Sequence, residues 1–115
     1  MNVVAVLEPP LVDEDAALML AALGSMPRLA IYRSLLRSGA RGLNVSELQE
    51  ATQIPGSTLK HHVAALVAAG LLQQERRARE VYSTARFREV RRLSAFLLRE
   101  CCADEGRVAS QPACN

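Results

Sequence analysis

Aromatic residues are scarce: there is no tryptophan, and Tyr32, Tyr82, Phe87 and Phe96 are the whole set in 115 residues. The apolar bulk is therefore mostly Ala, Leu and Val, the profile of a compact helical protein. Long hydrophobic runs are missing too. The longest, VAALVAAGLL at residues 63–72, falls well short of the roughly 18 residues a bilayer crossing needs, so no membrane segment is expected. The N-terminus, MNVVAVLEPP, has no basic region ahead of its short apolar run, which argues against a signal peptide and for a cytoplasmic chain. The sequence also lacks a C-x-x-C motif, a nucleophile elbow and a phosphate-binding glycine loop, so neither an enzyme nor a catalytic cofactor is expected.

What is present fits one domain with a single core. Residues 1–12, with Pro9-Pro10, read as an irregular arm, residues 13–100 as the folded domain, and residues 101–115 as a polar tail. Charge is unevenly placed. Glu8, Asp13, Glu14 and Asp15 make an acidic start, whereas residues 76–92 hold seven arginines against Glu80 and Glu89.

Capping signals divide the domain into helices. Asp13-Glu14-Asp15 suits the first turn of a helix over 13–23. Ser25 and Pro27 open a second near 26, ended by Gly39 and Gly42. Asn44-Val45-Ser46-Glu47 is a capping box for a third over 45–52. After Gln53-Ile54-Pro55-Gly56, a fourth spans 57–69 with Gly70 as its C-terminal cap. From Leu71 the period changes to two, and Arg77-Ala78-Arg79 separates two short runs, which predicts a hairpin with a basic tip. A fifth helix over 86–100 carries Val90, Leu93, Phe96, Leu97 and Leu98 as an apolar stripe. The fold class is thus mainly α with a small β-hairpin: a winged helix-turn-helix of about five helices and a two-stranded wing.

In such a fold the second helix of the pair enters the major groove of double-stranded DNA. Leu59, Val63, Leu66 and Gly70 share one face of the fourth helix and point to the core, leaving Ser57, Lys60, His61, Ala64 and Ala68 outside. Gly56, Ser57 and Thr58 open the helix, where hydroxyls and free N–H groups suit phosphate oxygens, while Lys60 and His61 can reach base edges. His62 lies nearer the core face and reads as a packed, hydrogen-bonded histidine. Arg76, Arg77 and Arg79 at the hairpin tip suit phosphate neutralisation. A solvated charged edge, or an interaction module that binds no DNA, are the alternatives.

Three stretches, ALGSMPRLAIYRSLL (22–36), NVSELQEATQIPGSTLKHHVAALVAAGLL (44–72) and QQERRAREVYS (73–83), resemble the ArsR/SmtB family of winged-helix repressors. The resemblance implies a homodimer joined through its first and last helices, an operator of approximate two-fold symmetry, and release from DNA when a metal or metalloid binds. Two of the family's sensor patterns are missing: SELQEATQ carries no thiol, and residues 86–100 contain no Asp or His. What remains is Cys101-Cys102 within RECCADE, which is similar to the arsenic-responsive members with a tandem cysteine pair ending the last helix.

That likeness implies a trivalent arsenical, arsenite or methylarsenite, as inducer, with antimonite a further candidate. Arsenic is thiophilic, and a soft centre selects sulfur over oxygen ligands. Adjacent cysteines diverge in a regular helix and could converge only where the last turn unwinds. Cys114 is a candidate third ligand and equally a passive tail thiol. A redox or sulfur-species signal acting on the same thiols is the alternative.

Overall fold

The computed structural model describes residues 8–105. Among these, five α-helices and a small antiparallel sheet follow the expected order. Helix α1, Asp13–Leu23, has its three acidic residues in the first turn, where the helix dipole favours them. Helix α2, Met26–Ser38, starts at Ser25, whose side chain accepts a hydrogen bond from the Arg28 N–H. Helix α3, Val45–Thr52, has the full capping box: the Asn44 side chain accepts from the Glu47 N–H at 2.8 Å, and the Glu47 carboxylate from the Asn44 N–H at 3.0 Å.

Helix α4, Gly56–Ala68, ends in a Schellman motif. Gly70 stands at φ +84°, its N–H bonds to the Val67 carbonyl, and the Leu71 N–H reaches back to Leu66. Helix α5, Phe87–Leu98, is two residues shorter at its end than the sequence suggests.

The expected wing is present as β2, Leu72–Arg77, and β3, Glu80–Ala85, paired from Leu72↔Ala85 to Arg77↔Glu80. The sheet has a third member that the sequence reading missed. Strand β1, Leu43–Asn44, pairs with β3 in the order β1-β3-β2, through Leu43↔Ser83 and Asn44↔Tyr82. Gly42 makes this possible. It stands at φ +70°, and a Cβ there would collide with the Ser83 carbonyl oxygen and the Thr84 methyl group.

The core gathers Ile31, Tyr32 and Leu35 of α2, Leu48 of α3, Leu59 and Leu66 of α4, and Leu71 and Leu72 at the entry to the wing. Each such side chain contributes on the order of 1.5–3 kcal/mol of burial. Leu11, in the segment before α1, is also buried in this core. The apolar positions of α2 and α5 are only partly buried. Leu29 of α2 is exposed, and on α5 Leu93 is buried, whereas Leu97 and Leu98 are 56% and 64% exposed.

Candidate nucleic-acid interface and thiol pair

Helices α3 and α4 are joined by Gln53, Ile54 and Pro55. Gln53 turns the chain at φ 60°, with its N–H on the Gln49 carbonyl at 2.7 Å. Pro55 precedes α4 and offers no side-chain cap, so its first backbone N–H groups keep their donor capacity. Ser57, Thr58, Lys60 and His61 are all exposed along one side of α4, while Leu59, Val63 and Leu66 are buried on the other. Gly56 has a packing role: it is half-buried, and a Cβ there would lie 3.0 Å from the Gln49 side-chain nitrogen of α3. His62 is half-buried and accepts a hydrogen bond from Arg28 Nε at 3.1 Å. Burial first, then the positive charge of Arg28 and the neighbouring His61, hold its pKa below the ordinary histidine value.

The basic run of residues 76–92 divides in two. Arg76 and Arg79 are exposed on the wing, and Arg77 is half-buried against it. Arg86, Arg88 and Arg92 instead surround the buried Glu89 carboxylate at 3.6, 3.6 and 2.8 Å. Arg91 pairs with Glu8 at 2.6 Å, and Arg92 also donates to the Pro9 carbonyl at 2.8 Å. These four arginines tie α5 to itself and to the segment before α1. Their spacing around Glu89, three residues on either side for Arg86 and Arg92, was a legible helical ion-pair signal.

Sequence reasoning also missed the base of the wing. Arg41, in the 3-10 turn Gly39–Arg41, forms a two-pronged ion pair with Glu47 at 3.1 and 2.8 Å. These hydrogen bonds raise the Arg41 pKa and, with the Asn44 N–H, hold the Glu47 carboxyl below its usual range. A groove of about 470 Å³ separates α4 from the wing, with Lys60 and Ala64 on one side and Gln74 and Val81 on the other.

At the far end of α5 the helix unwinds. The Cys101 N–H bonds to the Leu98 carbonyl and the Ala103 N–H to Glu100, both three residues back, and Cys102 adopts φ 59°. This left-handed residue breaks the 100° stagger of a regular helix. The two sulfurs stand 3.8 Å apart. Cys101 is exposed and Cys102 half-buried. Cys114 lies outside the described residues, and among the described residues no group of three or more His, Cys, Asp or Glu side chains is placed to hold a metal ion.

A helix-turn-helix domain model matches residues 23–75, from the end of α1 into the wing. An ArsR-like transcriptional regulator from Rhodococcus sp. RHA1 is similar over 84% of this chain and 88% of its own, with 25% identity and a TM-score of 0.71. The chain carries a helix-turn-helix domain and shares the winged-helix fold of ArsR-like transcriptional regulators. The reduced form of HlyU from Vibrio cholerae shares 28% identity over 77% of this chain and 90% of its own, at a TM-score of 0.59. The transcriptional repressor BigR from Xylella fastidiosa, 19% identical over 85% and 90% of the two chains at a TM-score of 0.59, shows the same fold. No curated protein matches by sequence. The helix-turn-helix domain implies DNA binding, and no described helix is long and apolar enough to cross a membrane.

Proposed function

We propose that this regulator is a repressor that binds operator DNA as a homodimer and is released when a trivalent arsenical binds Cys101 and Cys102. The observation that carries the reading is the pair of sulfurs 3.8 Å apart at the unwound end of α5. Bonds of about 2.3 Å, the length zinc makes to thiolate, would let one soft centre touch both. Arsenic binding uses both sulfurs as thiolates. Leu18 and Leu20 on α1 and Leu97 and Leu98 on α5 are exposed leucines. They supply the apolar contact surface for dimerisation through the first and last helices. With the thiols at the end of one of those helices, a ligand that reshapes the helix end changes the spacing of the two recognition helices.

A second reading makes oxidation of the same two neighbouring thiols, 3.8 Å apart, the signal. Fluorescence anisotropy separates the two. The reduced protein is bound to DNA from upstream of its own gene and titrated with arsenite, methylarsenite or peroxide, beside a Cys101→Ser/Cys102→Ser variant. Release by an arsenical that the variant resists supports the arsenic reading. Release by peroxide with indifference to both arsenicals replaces it with the redox reading. A coupling of about 1–3 kcal/mol per site corresponds to roughly a 5- to 150-fold loss of affinity.

A further inference from the structure

The three wing arginines are not equivalent. Arg76 and Arg79 are exposed, but Arg77 is committed on three sides. Its Nη1 donates to the Arg41 carbonyl at 2.6 Å, its Nη2 to the Glu75 carboxylate at 3.1 Å, and its guanidinium lies 4.5 Å from the centre of the Tyr82 ring. Arg41 reaches the same ring at 5.7 Å. Tyr82 is paired with Glu75 on one side and with Asn44 on the other. Asn44 in turn donates from its side-chain nitrogen to Glu80 at 2.5 Å while capping α3. These contacts link both strands of the wing to the start of the helix-turn-helix.

Such a link is needed because the outer wing has no core beneath it. Residues 73–76 of β2 and 78–81 around the turn are exposed, and an isolated two-stranded hairpin is marginally stable in water. Buried support stops at Leu72 and at Ser83, Thr84 and Ala85. The turn itself holds Ala78 at φ 57°, a conformation that costs a non-glycine residue energy rather than adding rigidity.

We propose that Arg77 and Tyr82, with Arg41 and Asn44, are positioning residues that fix the wing relative to the recognition helix, and that Arg76 and Arg79 supply the wing's charge to DNA phosphates. This rests on the DNA-binding reading. It also separates two roles by chemistry. A phosphate contact needs positive charge, which lysine keeps. Arg77 needs a flat fork that donates in two directions and stacks on a ring, which lysine cannot provide.

The test uses the full chain and a labelled duplex from upstream of its own gene, with backbone amide exchange of the wing measured in the DNA-free protein. Arg77→Lys and Tyr82→Ala weaken binding about tenfold and speed exchange at residues 78–81 while leaving the exchange of α2 and α4 unchanged; Arg79→Lys leaves the exchange of the wing as in wild type, and the conservative Tyr82→Phe stays within about twofold of wild-type affinity. Wild-type affinity in Arg77→Lys, or wild-type wing exchange in Tyr82→Ala, overturns the proposal. If the unmodified protein binds no duplex, the DNA-binding reading falls, and the exchange measurement still decides whether Arg77 and Tyr82 hold the wing. Arg77→Lys supplies that decision if Tyr82→Ala fails to fold.

Discussion

Arg28 Nε donates to His62 Nδ1 at 3.1 Å, joining α2 to α4 across 34 positions of sequence. A ring nitrogen that accepts a hydrogen bond must be unprotonated, and the depressed pKa of His62 agrees with that. The sign of the pH effect follows. Folded His62 titrates below its unfolded value of 6.5, so the unfolded chain binds more protons between those two values. Its contribution is fully present above about pH 6.5 and is lost as pH falls toward the folded pKa. Urea midpoints measured across this range should fall on acidification in the wild type. They should fall less in His62→Asn, whose amide oxygen can accept from Arg28 without titrating. Equal slopes would show that His62 does not carry the dependence.

Tyr32 gives the opposite sign at the other end of the scale. Burial, and then the negative charge of Glu89, push its hydroxyl up to about 12. The folded protein therefore keeps a proton that the unfolded chain releases near pH 10, and stability should decline as pH rises from about 10 toward 12. The buried hydroxyl has no hydrogen-bond partner among the described groups. Tyr32→Phe should consequently lose no stability at neutral pH and should flatten the alkaline decline. Thermal melts at about pH 8 and about pH 11 check both statements.

Gly42 is the position where a single methyl group should do most damage. Its φ of +70° and the contact its Cβ would make with Ser83 and Thr84 both oppose a side chain. Gly42→Ala should destabilise the fold by about 3 kcal/mol or more, because the new atom meets strand backbone and cannot be relieved by a rotamer change. Chemical denaturation measures this. Gly39→Ala is a useful comparison, since it shares the positive φ but meets nothing within 4 Å, and it should cost only about 1–2 kcal/mol.

The contrast between those two glycines also explains what could be read from sequence. Helix boundaries were legible because their signals are local: Ser25, the Asn44–Glu47 box and Gly70 each act within a turn of the residue they cap. Strand β1 was not. Two residues carry no period, and Leu43–Asn44 becomes a strand only because Gly42 lets it approach β3, some forty positions away. The outward face of α4 was legible from helical spacing, whereas the commitment of Arg77 to Tyr82 and Arg41 needed the folded register. The question of how neighbouring cysteines meet likewise had a backbone answer, the left-handed Cys102, that residue types do not encode.

Lys60 and Arg79 test whether α4 and the wing divide the labour of DNA recognition. Lys60 stands on the outward face of α4 beside His61, where a side chain can reach base edges, whereas Arg79 stands at the wing turn, on the other element. A base contact discriminates among sequences by about 1–3 kcal/mol, while a phosphate contact weakens uniformly when removed. Lys60→Ala should therefore narrow the ratio between operator and unrelated duplex, about 5- to 150-fold by that range. Arg79→Ala should preserve the ratio and lower the slope of log affinity against log salt by about 0.9 per subunit contact. Salt titrations on both duplexes read the two effects together. If Arg79→Ala altered the ratio and Lys60→Ala only the slope, the recognition role would belong to the wing and not to α4.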